Sequence, residues 1–217
     1  MNEDIKKSML KTGTSILGIV CTDGVVLAAD RQVSAGNIVV GKDFQKIIPI
    51  NDYLLTAITG SVSDAQFIMR LLSAELRIKE IKNKRRATVK EAASFLSMMT
   101  YRSIRSPSMI PSIVGSLIAG VDEDGTANLY SIEPAGGINE VKDYDANFGS
   151  GMPYILGLLE RGYKQELNVK QGVQLAIEAL KSSTQRDMGS GYGIDIYTFT
   201  KEGVKKAVSQ EIQSVFK

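Results

Sequence analysis

The sequence predicts an α+β fold in which two antiparallel sheets each carry helices on their outer face. Three observations predict it. Strand-like and helix-like segments come in blocks (strands, two helices, strands, two helices, strands) rather than in single alternation. Turn signals such as Asp23-Gly24 and Asp122-Glu123-Asp124-Gly125 join consecutive strand-like runs, which favours antiparallel pairing. Four helices suffice to cover two outer faces.

The elements follow in order. Residues 15–21 and 24–31 are apolar and rich in β-branched residues, and Asp-Gly between them signals a hairpin. Further strand-like runs cover 37–40, 44–48 and 53–59, and Gly60 closes that block. Residues 62–82 change to helical spacing, with Phe67, Leu71, Leu72, Leu76 and Ile78 near one face. The basic run Lys79, Lys82, Lys84, Arg85, Arg86 reads either as a solvated helix end and loop or as a partner contact. A second helix begins at Thr88, where Glu91 three residues on completes a capping box, and it ends before Pro107 and Pro111. Strands resume at 113–121 and 127–132, and one or two more fall within 138–148. Helices are expected over about 152–163 and 169–186, the latter opened by a second capping-box pair, Asn168 and Gln171. Strands at 193–200 and 204–209 close the chain. With no linker or repeat, the reading is one domain after a short polar leader, 1–13.

Composition narrows the chemistry. Of 217 residues, 43% are hydrophobic and 23% charged, the balance of a chain with a substantial core. The formal net charge is +2, so nothing draws the chain to nucleic acid or to a membrane surface. No run of 18 apolar residues suggests a membrane span, and the first ten residues mix acids with lysines, unlike a secretory signal, so a cytoplasmic location is expected. Histidine is absent, which removes Ser-His and Cys-His catalysis and histidine metal ligands together. The single cysteine, Cys21, lies in an apolar run and reads as a buried core thiol. A hydrolase of this composition needs an amine, a carboxylate or a lysine as its base.

Several short constellations could carry such chemistry. Gly13-Thr14 places a hydroxyl residue directly before a buried-looking strand; it is either a plain turn or a reactive junction. Asp30 ends the second strand, and Lys46 interrupts an apolar run, either on a solvent face or desolvated beside a carboxylate. Gly60 stands at a strand-to-helix junction, where backbone N–H groups can face an oxyanion, or where Ser61 or Ser63 simply caps a helix. The Gly-Ser-Gly segments at 149–151 and 189–191 match no phosphate-loop pattern.

Taken together, these pieces resemble the proteasome β-subunit family. The resemblance covers essentially residues 13–212: TGT at 12–14, DGVVLAADR at 23–31, Lys46, TGSVSDAQ at 59–66, GSLIAGVDEDG at 115–125, LYSIEPAGG at 129–137, GSG at 149–151 and QRDMGSG at 185–191. It implies the four-layer αββα sandwich of N-terminal nucleophile hydrolases and a threonine endopeptidase without metal or organic cofactor. It also implies autocatalytic cleavage between Gly13 and Thr14, which removes 1–13 and leaves 14–217 as the catalytic domain. Thr14 then matches the nucleophile, with its freed amine as general base. Lys46 and Asp30 match the cation and the carboxylate that positions it, Ser150, Asp187 and Ser190 the network around the amine, and Gly60 the oxyanion-hole N–H. Val33, Phe44, Ile48, Ile58 and Val62 match the first specificity pocket, whose apolar lining implies cleavage after hydrophobic residues. The implied partners are proteasome α subunits, other β subunits in stacked heptameric rings, a ring ATPase acting through the α ring, and unfolded polypeptide substrates. The alternative is a structural or weakly active β subunit that completes a mixed ring. Departures from the family pattern are Ser15 and Ile16 in place of threonines, Thr59 in place of alanine and Ser63 in place of glycine.

Overall fold

The computed structural model describes residues 13–211; residues 1–12 of the expected leader and residue 212 of the resemblance lie outside them. The order is β1 (Ile16–Cys21), β2 (Gly24–Asp30), β3 (Val33–Ala35), β4 (Ile38–Gly41), β5 (Ile47–Asn51), β6 (Leu54–Gly60), α1 (Val62–Asn83), α2 (Val89–Arg105), β7 (Val114–Val121), β8 (Ala127–Ile132), β9 (Ile138–Glu140), β10 (Tyr144–Asp145), α3 (Met152–Gly162), α4 (Val169–Arg186), β11 (Gly193–Thr200) and β12 (Gly203–Glu211). One five-stranded sheet runs β10-β1-β2-β11-β12, a second runs β5-β6-β7-β8-β9, and β3 and β4 form a separate ribbon. Every pairing is antiparallel.

Side-chain alternation along the central strands builds the layers. Val25, Leu27 and Ala29 of β2 face a core shared with Leu55 and Ala57 of β6 and Leu117 and Ala119 of β7, so the two sheets stack face to face. Val26 and Ala28 point the other way, into a core with Leu175, Ala176 and Leu180 of α4 and Ile155 and Leu159 of α3. Leu54 and Ile58 of β6 do the same on the far side, against Leu72 and Leu76 of α1 and Leu96 of α2. Strands buried on both faces explain the continuous apolar runs in the sequence. The result is the expected αββα sandwich.

Most local expectations hold. Thr22 and Asp23 turn β1 into β2 with Cys21 opposite Gly24, and both capping boxes form, Thr88 with Glu91 and Asn168 with Gln171. Three details differ. The short strand β3 has no counterpart in the sequence reading, because three residues carry too little period to detect. The run 44–48 becomes strand only at Ile47; Lys46 precedes it, and its carbonyl accepts from Ile58 N at 3.0 Å. The buried stripe of α1 is Ala65, Ile68, Met69, Leu72 and Leu76, whereas Phe67, Leu71 and Ile78 are 63%, 39% and 47% exposed. Small Ala65 and unbranched Met69 complete the i, i+3, i+4 spacing, so choosing the largest apolar groups rotated the stripe. At the start of α1, Ser61 occupies the N-cap position but its side chain makes no cap hydrogen bond.

Candidate active site

Thr14 lies just before β1 and is 4% exposed. Its backbone N–H donates to Ser150 Oγ at 3.1 Å, and its carbonyl accepts from Gly151 N at 3.2 Å. Its hydroxyl donates to the carbonyl oxygen of Gly13 at 2.6 Å. Gly13 is required by close approach: a Cβ there would lie 2.0 Å from Gly189 Cα.

One side of the site centres on Asp30, which is 1% exposed at the end of β2. Its Oδ1 accepts from Ser15 N at 2.9 Å and Lys46 Nζ at 2.6 Å. Its Oδ2 accepts from Gln32 N at 2.9 Å and Gly191 N at 3.0 Å. Four donors compensate a carboxylate withdrawn from water. Lys46 is itself 3% exposed, which rules out a solvent-face position. Burial pushes its ammonium below the usual lysine range, against the opposing pull of Asp30 and Asp187.

The other side centres on Asp187, which caps the C-terminal end of α4. Its Oδ2 accepts from Ser150 Oγ at 2.6 Å and from Ser190 Oγ at 2.5 Å, and its Oδ1 accepts from Gly189 N at 3.1 Å. The two Gly-Ser-Gly turns therefore meet over Thr14. Asn147, itself left-handed at φ 47°, leads into the first of them. Its side-chain amide donates to Ser116 O, Ser131 Oγ and Ile132 O, tying the turn to the second sheet. The sequence reading missed Asn147. An asparagine just before a glycine-rich turn is the signal that could have found it.

Gly60 ends β6 at φ 96°, and a Cβ there would sit 2.1 Å from Ile113 O, so only glycine fits. It borders the same narrow crevice as Thr14 and Lys46, which holds about 10 Å³, room for about one water. Val33, Phe44, Ile58 and Val62 line that crevice. Ile48 does not; it is half-buried and packs with Phe44 against the core beneath α1 and α2. On its other side Gly60 borders a larger cavity of about 590 Å³ reaching Ser61, Asp64, Phe148 and Ser150.

Arg31 braces this arrangement. Its guanidinium binds Asp195 through Nε at 3.0 Å and Nη2 at 2.9 Å, and Asp43 through Nη1 at 2.9 Å, while its carbonyl holds Phe44 N at 3.0 Å. It thereby ties the segment before Lys46 to β11. Asp195 was not legible as its partner, because 164 residues separate the two.

A sandwich of two antiparallel sheets between helix layers, with a hydroxyl residue leading into β1 beside a buried lysine and carboxylate, has the architecture of the N-terminal nucleophile hydrolases. Residues 10–199 match the family described as Proteasome subunit, and the chain belongs to that family. It is 47% identical to a proteasome subunit beta of Nanoarchaeum equitans, over 89% of this chain and 96% of that one. It is 41% identical to a proteasome subunit beta of a Methanocaldococcus species, over 94% and 88%. It is 42% identical to a protein named proteasome subunit beta 1 in Thermococcus onnurineus, over 94% and 97%.

Proposed function

We propose that this chain is a catalytic β subunit of a 20S proteasome core, a threonine endopeptidase made active by removal of residues 1–13. One observation carries the reading. Thr14 sits between two polar networks, Ser150–Asp187–Ser190 reaching its nitrogen and Lys46, held by Asp30, sharing its crevice.

Processing follows from the bond that the Thr14 hydroxyl makes. With its proton directed at the Gly13 carbonyl oxygen, Oγ1 attacks the Gly13 carbonyl carbon and closes a five-membered ring with the Thr14 nitrogen. Collapse of the ring breaks the C–N bond, moves a proton to nitrogen and leaves Gly13 esterified to Oγ1. Water then hydrolyses the ester and frees the α-amine. That amine has an ordinary pKa of about 7.7–8.0 and serves as general base near neutrality, which meets the need left by the missing histidines. In each turnover the amine takes the Oγ1 proton, directly or through a water, and Oγ1 attacks the substrate carbonyl. The tetrahedral oxyanion receives the Gly60 N–H, the leaving amine receives the proton, and water releases the acyl group. Lys46 contributes positive charge beside the forming alkoxide, and Asp30 holds it in place.

Val33, Phe44, Ile58 and Val62 favour a hydrophobic residue before the scissile bond. The crevice must widen from its present size to take one. The chain works in the cytoplasm, in β rings flanked by α rings, on unfolded polypeptides delivered by a ring ATPase. Its relatives' names support the β-subunit role.

The test is the intact mass of the chain co-expressed with an α subunit, beside Thr14→Ala. Loss of residues 1–13 in the wild type alone is expected. Retention in an assembled wild-type particle supports a structural β subunit instead.

A further inference from the structure

We propose that Ser15 is a positioning residue that holds the two carboxylates flanking Thr14 in register, its hydroxyl fixing Ser190 against Asp187 and its amide fixing Asp30. The inference rests on the reading of Thr14 as nucleophile.

Ser15 is fully buried, and three contacts fix it. Its N–H donates to Asp30 Oδ1 at 2.9 Å, and its carbonyl accepts from Asp30 N at 3.0 Å. Its Oγ lies 2.7 Å from Ser190 Oγ. The hydroxyl occupies the space over Gly151, where a Cβ would approach it to 1.8 Å. Its backbone thus belongs to the Asp30–Lys46 side of the site and its side chain to the Asp187 side.

Proton counting gives the direction of the hydroxyl bond. An ionised carboxylate only accepts, and each serine has one proton. Ser190 spends its proton on Asp187 Oδ2 at 2.5 Å, so Ser15 must donate to Ser190. Ser150 likewise spends its proton on Asp187 Oδ2, so it accepts from the Thr14 nitrogen. Two chains of donors converge on Asp187, one from Ser15 through Ser190 and one from Thr14 through Ser150. In the mature enzyme the amine is then a donor to Ser150, and its lone pair remains free to take the Oγ1 proton.

Donation from Ser15 polarises the Ser190 hydroxyl and strengthens its bond to Asp187. Without it, more negative charge stays on Asp187, which favours the ammonium form of Thr14 two bonds away. Ser15→Ala should therefore lower kcat more at low pH than at high pH, with little change in KM.

The experiment uses the assembled particle with wild-type, Ser15→Ala and Ser15→Thr chains. Intact mass is recorded first, then kcat and KM for a peptide with a hydrophobic residue before the cut, from pH 6 to 9.5. For Ser15→Ala, the acidic limb of kcat should move up by about half a unit. The loss should reach about threefold at pH 7 and should close by pH 9. Ser15→Thr, which keeps the hydroxyl, should return the limb to its wild-type position. A loss equal at every pH, or a superimposable profile, overturns the inference. If Ser15→Ala does not assemble, Ser15→Cys carries the test, since its weak S–H donor must shift the limb in the same direction; an unmoved limb overturns the inference. A wild-type chain that keeps its leader overturns the reading of Thr14 instead, so the two failures are distinct.

Discussion

Replacing Asp30 by Asn keeps the shape of the side chain and removes its charge, and the geometry gives the cost. Lys46, 3% exposed, would lose the partner that now sits 2.6 Å away. A buried charge left without its partner costs about 3–5 kcal/mol. The lysine can escape by releasing its proton, which from an ordinary value of about 10.4 costs about 4.6 kcal/mol at pH 7. The two routes have similar cost, so about 4 kcal/mol is expected. A further about 1–3 kcal/mol comes from turning an amide NH2 toward donors that Asp30 now accepts. Lys46→Met should be milder, roughly 2 kcal/mol, because three backbone N–H groups still solvate the carboxylate.

The sign of the pH dependence separates this account from simple loss of packing. In Asp30→Asn the folded-state lysine pKa is depressed further, so the unfolded chain binds the extra proton. Stability then rises with pH, by up to about 1.4 kcal/mol per unit between pH 7 and the unfolded value near 10.4. Urea unfolding of the full chain, followed by far-ultraviolet circular dichroism at pH 6.5, 8 and 9.5, should show the Asp30→Asn defect shrinking as pH rises. The double variant Asp30→Asn with Lys46→Met should be more stable at pH 7 than Asp30→Asn alone. A defect no larger than that of Lys46→Met and constant across pH would refute the electrostatic argument.

Two further outcomes are expected. Gly60→Ala forces a Cβ into a left-handed residue and toward Ile113 O. It should cost about 1–3 kcal/mol and, by displacing the proposed oxyanion donor, lower peptide hydrolysis about 10²–10³-fold; an unchanged melting temperature would count against the steric argument. The Cys21 thiol is pushed up to about 12, first by burial and then by Asp23. Iodoacetamide at pH 8 should therefore leave the native chain unmodified and label one thiol after denaturation; rapid native labelling would show that the α4 side of the first sheet opens readily.

Because strands buried on both faces must be apolar throughout, and helices must carry a stripe, the order of layers could be read from local pattern. Thr88 with Glu91 and Asn168 with Gln171 marked helix starts, since a capping box is chemistry between residues three apart. The missing histidines limited the available bases, and the order of short motifs identified the family. Local pattern did not reveal which apolar face of α1 turns inward, because Phe67 and Met69 are equally apolar and only packing against β6 selects between them. Nor could it reveal that Lys46 is buried rather than solvated, since burial depends on Asp30, sixteen residues earlier, being aimed at it. Asp187 and Ser150 meet across 37 residues, Thr14 and Ser150 across 136, and Ser15 and Ser190 across 175. Contacts of such separation are set by how β1, β11 and the ends of α3 and α4 come together around the first sheet, a property of the whole chain that no local period encodes.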